Sequence, residues 1–201
     1  MSDLYLASQS PRRRELLRQI GVRFTPLAVS VPEQPEAEES PADYVQRLAL
    51  EKARAGYRRV QSEHLPERPV LGADTVGVLA DQILEKPLDA EHGAAMLRRL
   101  SGQTHQVLSA VAMCDGVSEQ VRLSTTDVQF RPLSETEIHA YWHSAEPADK
   151  AGGYAIQGLG AVFVRSLQGS YTGVVGLPLE ETLKLLRDFQ IPWWQAGAGS
   201  E

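Results

Sequence analysis

The chain places three cations where a helix ordinarily carries acids. Residues 8–14 read SQSPRRR, and the ELLRQIG that follows is a short amphipathic run closed by Gly21. Ser10 suits the N-cap and Pro11 the first helical position, so Arg12, Arg13 and Arg14 fall in the first turn. A helix N-terminus carries partial positive charge, and each cation there costs about 0.3–1 kcal/mol. The other helix starts obey the usual rule: Asp43 follows Ser40-Pro41, Glu91 follows Asp89, Glu135 and Glu137 follow Ser134, and Glu180 and Glu181 follow Pro178. Two readings fit the inversion. Either the arginines splay into water at that small cost, or free backbone N–H groups, helix dipole and guanidinium forks converge on one external anion such as a phosphate.

Other residues could act beside such an anion. Asp74, in GADT, interrupts an apolar strand-like run. A carboxylate there is costly unless something binds it, and Gly72 permits a bulge or a close backbone approach. Asp74 either orients or deprotonates water, or holds a metal beside phosphate, or bonds local amides at a strand end. Lys86, in LEKP, is a compact cation suited to phosphate, although a lone lysine is ordinarily just solvated. Lys52, in ALEKARA, reads by itself as part of an exposed helix face with Glu51 and Arg54. Residues 149–161, DKAGGYAIQGLGA, fit neither a P-loop nor a GxGxxG fingerprint. They form a strand with glycine bulges, or a backbone that approaches a flat ligand while Gln157 offers one donor and one acceptor to a nucleobase edge. Cations, a carboxylate and an amide together form the set that nucleoside triphosphate hydrolysis requires.

These residues must be positioned by a mixture of strands and helices. Apolar patterning and turn signals predict strands over 3–8, 22–30 and 69–80, with a hairpin turn at Asp81-Gln82. Two long strands follow, joined at Asp115-Gly116, and a hairpin turns near Gln168-Gly169. Helices are expected at 11–20, 41–60, 89–100, 134–144 and 178–189, with Val45, Leu48, Ala49 and Ala53 as the buried stripe of the second. An acidic, proline-broken loop spans 31–41. The expected fold is α/β, with a mixed, largely antiparallel sheet flanked by helices. One domain of two lobes is expected over 1–189, followed by a C-terminal tail at 190–201 whose end, WWQAGAGSE, is expected to fray. With 42% hydrophobic and 23% charged residues, the 201-residue chain reads as a soluble globular protein. A net charge of −6 and the lack of a basic stripe speak against nucleic-acid or membrane-surface binding and favour a small anionic ligand. The single cysteine, Cys114 in VLSAVAMC, reads as a buried thiol. No apolar signal core or membrane-length run is visible, so the cytoplasm is the expected location.

The segments LASQSPRRRELL, GADT, EKP, LSGQTHQVLSAVA and DKAGGYAIQGLGA with GSYTGVVGLP resemble, in this order, the Maf family of nucleoside triphosphate pyrophosphatases. The likeness runs from Leu4 to about Phe189. It implies a sheet folded around a deep cleft, a divalent metal (Mg2+ or Mn2+), often a homodimer, and cleavage between the α- and β-phosphates to a monophosphate and pyrophosphate. Carried onto this chain, it implies Asp74 as catalytic base, and Ser8, Arg13, Lys52 and Lys86 as holders of the triphosphate. Glu33 is implied as a further acid near the metal, with Asp74. Arg12, Thr75 and Gln157 are similar to the branch acting on dTTP and UTP, with modified pyrimidine nucleotides as further candidates. The branch preferring 7-methyl-GTP has tryptophan at the place of Arg12. Members are linked to removing modified nucleotides and to arresting septum formation. The alternative is therefore a nucleotide-binding regulator of cell division without turnover. Asp74 and Lys86 favour the enzyme, since a pure binder needs no water-activating carboxylate beside cations.

Overall fold

The computed structural model describes residues 2–84, 86–146 and 150–195. Its sheet comprises β1 (Leu4–Leu6), β2 (Phe24–Pro26), β3 (Val70–Leu79), β4 (Gln82–Leu84), β5 (Thr104–Cys114), β6 (Glu119–Phe130) and β7 (Val164–Gln168). The order is β2-β1-β3-β5-β6-β7, with β4 folded back onto β3. β1 runs parallel to both β2 and β3, and every other pairing is antiparallel. Parallel neighbours need crossovers. Helix α1 (Pro11–Gln19) connects β1 to β2, and α2 (Pro41–Ser62) connects β2 to β3. The mixed, largely antiparallel sheet expected from the sequence is thus present.

Turns depart from expectation in two places. The β3–β4 hairpin turns on Ala80-Asp81, both in the left-handed region with φ of 49° and 60°, one residue before the expected pair. The hairpin expected near Gln168-Gly169 does not form. After Gly169, whose φ is 132°, the Ser170 hydroxyl accepts from the Gly173 N–H and starts α5 (Tyr171–Val175) instead of a return strand. A side-chain cap thus overrides the β-propensity of YTGVV.

Period-two alternation assigns each face of β3 to different helices. Leu71 and Ala73 pack with Leu4 and Leu6, with Leu16 and Leu17 of α1, and with Leu185 and Leu186 of α6 (Leu179–Asp188). Val76 and Val78 pack against Val45, Leu48, Ala49 and Ala53 of α2, the stripe foreseen in the sequence. Gly72 explains how close α2 comes: a Cβ there would lie 2.2 Å from the Ala49 carbonyl oxygen. Farther along the sheet, α3 (Ala90–Leu100) and α4 (Glu135–His143) enclose Val107, Val128 and Phe130. The Trp142 ring lies where a Gly93 Cβ would be, 2.6 Å away, and locks these two helices together. Fraying does not include residues 191–195. Ile191 is buried, the Trp194 N–H donates to Ile20 O at 2.7 Å, and Gln195 Nε2 donates to Asp3 Oδ2 at 2.6 Å. The rest of the expected tail, 196–201, lies outside the described residues. Among those described, no helix is long and apolar enough to cross a membrane.

The core holds one titratable group with a large consequence. His105, on β5, is 1% exposed and meets the rings of Phe130 and Tyr154 edge-on at 5.0 and 5.5 Å. Its Nε2 shares a 2.8 Å hydrogen bond with the Tyr154 hydroxyl, while Nδ1 is buried without a partner. Burial pushes its pKa down from 6.5 to about 4. The folded state therefore holds His105 neutral, and the unfolded chain binds the proton more readily. This contribution to stability is complete above pH 6.5, declines as pH falls through the window down to about 4, and totals about 3 kcal/mol. Urea unfolding at pH 7 and pH 4 should show that loss, and His105→Gln should remove this component of the pH dependence.

Candidate active site

A cleft of about 580 Å³ opens across β3, lined by residues of α1, α2, the 31–41 loop, the β4 edge and the 150–157 segment. Its chemistry starts from the approach of α2 at Gly72. That contact turns Lys52 inward, so its side chain is only 13% exposed rather than lying on an open helix face. Lys52 Nζ bonds Asp74 Oδ1 at 2.7 Å and Glu33 Oε1 at 2.6 Å. Asp74 itself is 8% exposed. Each carboxylate spends one oxygen on the shared ammonium. The other oxygen has no partner among the described residues.

Glu33 is carried by an irregular loop, yet that loop is anchored. The Tyr44 hydroxyl donates to Glu33 O at 3.1 Å. Arg47 forks onto Glu39 at 2.6 and 2.7 Å and donates to Gln34 O at 3.1 Å. Burial pushes the Glu33 carboxyl up, but the Lys52 hydrogen bond and the charges of Lys52, Lys86 and Arg13 outweigh it and hold it below the ordinary range. Glu33 is therefore anionic at neutral pH.

Thr75 points to the opposite face of β3, and there Arg13 meets it. Arg13 Nε donates to Gly176 O at 2.8 Å, Nη1 to Ser8 Oγ at 3.3 Å and Nη2 to Thr75 Oγ1 at 3.4 Å. All three acceptors are neutral. Among the described residues these three bonds leave two of the five guanidinium N–H groups without a partner. Burial lowers the Arg13 pKa, Asp74 opposes that shift and Arg12 reinforces it. Arg13 stays charged nonetheless, and it makes no ion pair among the described residues. A cation fixed by neutral groups at a cleft edge provides an electrostatic site for an anion. Thr75 is tied further inward, with its Oγ1 2.8 Å from Ser109 Oγ, which donates to Gly173 O at 2.6 Å.

The remaining candidate residues distribute around this centre. Arg12, Lys86 and Gln157 line the cleft, with Lys86 and Gln157 exposed. Ser8 stands behind Arg13 and also accepts the Ser10 N–H at 3.2 Å, whereas the Ser10 hydroxyl caps nothing. The three arginines do not act as one. Arg14 does not line the cleft, and its buried Nε has no hydrogen-bond partner among the described residues. The sequence reading missed Tyr44, Ser109 and Gly176, which hold Glu33, Thr75 and Arg13. It also missed the apolar wall of Ile83, Leu84, Val107 and Tyr154. Their only signal is apolar or small-residue patterning, which marks core as readily as cleft.

The family model described as Maf-like protein matches residues 3–189. The chain belongs to the Maf family. This Maf protein is 60% identical to a dTTP/UTP pyrophosphatase of Saccharophagus degradans, over 96% of its own length and 92% of the relative's. It is 54% identical to a dTTP/UTP pyrophosphatase of Escherichia coli K12, over 94% of each chain. Among solved structures, the Staphylococcus aureus Ham1 protein is 12% identical, with a TM-score of 0.45 over 63% of this chain and 71% of that one, too distant to bear on the site. The Arg13 geometry makes a direct prediction. Calorimetry with inorganic tripolyphosphate should show at least tenfold weaker binding for Arg13→Ala, or about 1.4 kcal/mol, with a melting shift below about 5 °C. Unchanged affinity with a large melting shift would assign Arg13 to the fold instead.

Proposed function

We propose that this Maf protein is a nucleoside triphosphate pyrophosphatase that hydrolyses dTTP and UTP at the α–β bond, releasing the monophosphate and pyrophosphate. One observation carries the reading. Asp74, a carboxylate with one oxygen unbonded among the described residues, lies in the same cleft as Arg13, whose hydrogen bonds to described residues all go to neutral acceptors. The names of the relatives supply the substrate class. In this reading Arg13, Lys86 and Lys52 neutralise the phosphate oxygens, with Ser8 orienting Arg13. Asp74 orients the attacking water and takes its proton. The water oxygen bonds the α-phosphorus as the bridging P–O bond breaks, and the leaving pyrophosphate gains charge within the field of these cations. Arg12, Thr75 and Gln157 select the pyrimidine nucleotide.

The donor set also fits a divalent metal. Asp74 and Glu33 are hard oxygen donors, each with one oxygen free, and Mg2+ typically binds one or two carboxylates together with substrate phosphates. When bound, Mg2+ or Mn2+ would neutralise developing phosphate charge. We further propose that residues 1–189 form one catalytic unit, active in the cytoplasm where free nucleotides reside, and that the family resemblance extends to a homodimer. A regulator without turnover would have no use for a carboxylate aimed at water, so the enzyme is the better reading.

Two measurements test this. With Mg2+ or Mn2+, dTTP and UTP should yield monophosphate plus pyrophosphate on chromatography, and Asp74→Asn should lower kcat by about 100-fold or more. Diphosphate plus phosphate would overturn the bond assignment, and tight dTTP binding without turnover would favour the regulator. Glu33→Gln should raise the metal concentration for half-maximal rate about tenfold or more. An unchanged metal requirement would remove Glu33 from the metal site.

A further inference from the structure

Gln157 makes no hydrogen bond to any described residue. A free glutamine amide exchanges donor and acceptor on a 180° rotation. In one orientation it matches the imide edge of thymine or uracil, and in the other the amino edge of cytosine. Gln157 by itself therefore does not exclude cytosine. Discrimination requires groups that cannot flip, and the loop backbone provides them. The N–H groups of Ile156 and Gln157 also have no partner among the described residues.

The direction of that backbone is fixed from outside the cleft. The Glu146 carboxylate, just after α4, accepts from the Leu159 N–H through Oε2 at 2.9 Å and from the Gly160 N–H through Oε1 at 3.0 Å. Oε1 also accepts from the buried Tyr141 hydroxyl at 2.7 Å, and that hydroxyl oxygen accepts the Ala155 N–H at 3.1 Å. The loop is thus pinned on both sides of Gln157. Two of its glycines record how tightly. A Cβ on Gly158 would lie 2.0 Å from Glu146 Oε2, and one on Gly160 would lie 2.7 Å from the Tyr141 hydroxyl. Burial pushes the Glu146 carboxyl up, but the Tyr141 and loop hydrogen bonds outweigh it and keep it ionised.

We infer that Glu146 and Tyr141 are positioning residues that set base selectivity by locking the backbone on both sides of Gln157. The inference rests on the proposed reading that this cleft binds dTTP and UTP with Gln157 at the base. Neither residue lines the cleft. A carboxylate can satisfy three donors here, whereas the amide of Glu146→Gln would set an NH2 group against an N–H or hydroxyl donor.

The test compares kcat/KM for dTTP, UTP and CTP in the wild type, Glu146→Gln, Tyr141→Phe and Gln157→Ala. The dTTP-to-CTP ratio should fall about tenfold or more in both latch variants, with the metal requirement unchanged. An unchanged ratio, or an equal fall for all three nucleotides, overturns the inference. If Glu146→Gln does not fold, Tyr141→Phe decides, since it removes one hydroxyl and keeps the ring. A ratio that collapses in Gln157→Ala but holds in the latch variants overturns the latch alone. A wild type that releases no pyrophosphate overturns the functional reading and the latch with it.

Discussion

The candidate site depends on one ammonium shared by two carboxylates. Lys52 reaches Asp74 and Glu33 only because α2 lies directly on β3. Two carboxylates gathered at one place would otherwise repel each other. With Lys52 between them, Glu33 is held anionic, and both carboxylates line the cleft. The small residues Gly72, Ala49, Ala53 and Gly56 are therefore as much part of the site as the charges. They bring a helix and a strand close enough for a four-carbon side chain to span two elements.

The second half of the site is built differently. Arg13 is held by a backbone carbonyl and two hydroxyls, so its orientation is fixed without its charge being used. An ion pair there would hold it more strongly but would compete with an incoming anion. The chain makes exposed ion pairs freely elsewhere, such as Arg54 with Glu119 and Arg98 with Glu135. Such surface pairs contribute about 0–1 kcal/mol each. Arg13 has no such pairing among the described residues.

Much of this was legible in the sequence, and the exceptions share a cause. Helix starts at Ser40, Asp89 and Ser134 carry side-chain caps that form as read, because capping is decided within four residues. The apolar strand runs of β3 and β5 and the anomaly of Arg12 and Arg13 were readable for the same local reason. The inward turn of Lys52 was not, since it depends on Gly72 some twenty residues away, where the missing Cβ admits the helix. The helical α5 hid behind a β-like run because one hydroxyl, Ser170, decided it. The Glu146 latch was invisible because two of its partners are backbone N–H groups, which leave no mark on residue types.

Asp74 and Thr75 are neighbours on one strand, yet they serve opposite faces of the sheet, one toward Lys52 and the other toward Arg13 and Ser109. Both are held in place by pairing with Ala110 and Ser109 of β5. A slip of one residue in that ladder would send every side chain of β3 to the other face. It would put the hydroxyl where the carboxylate belongs and bury the carboxylate among leucines. Strand register is usually regarded as a matter of folding fidelity. Here it also decides which charges meet: a misregistered sheet would keep most of its hydrogen bonds and lose the Lys52–Asp74 and Arg13–Thr75 contacts together.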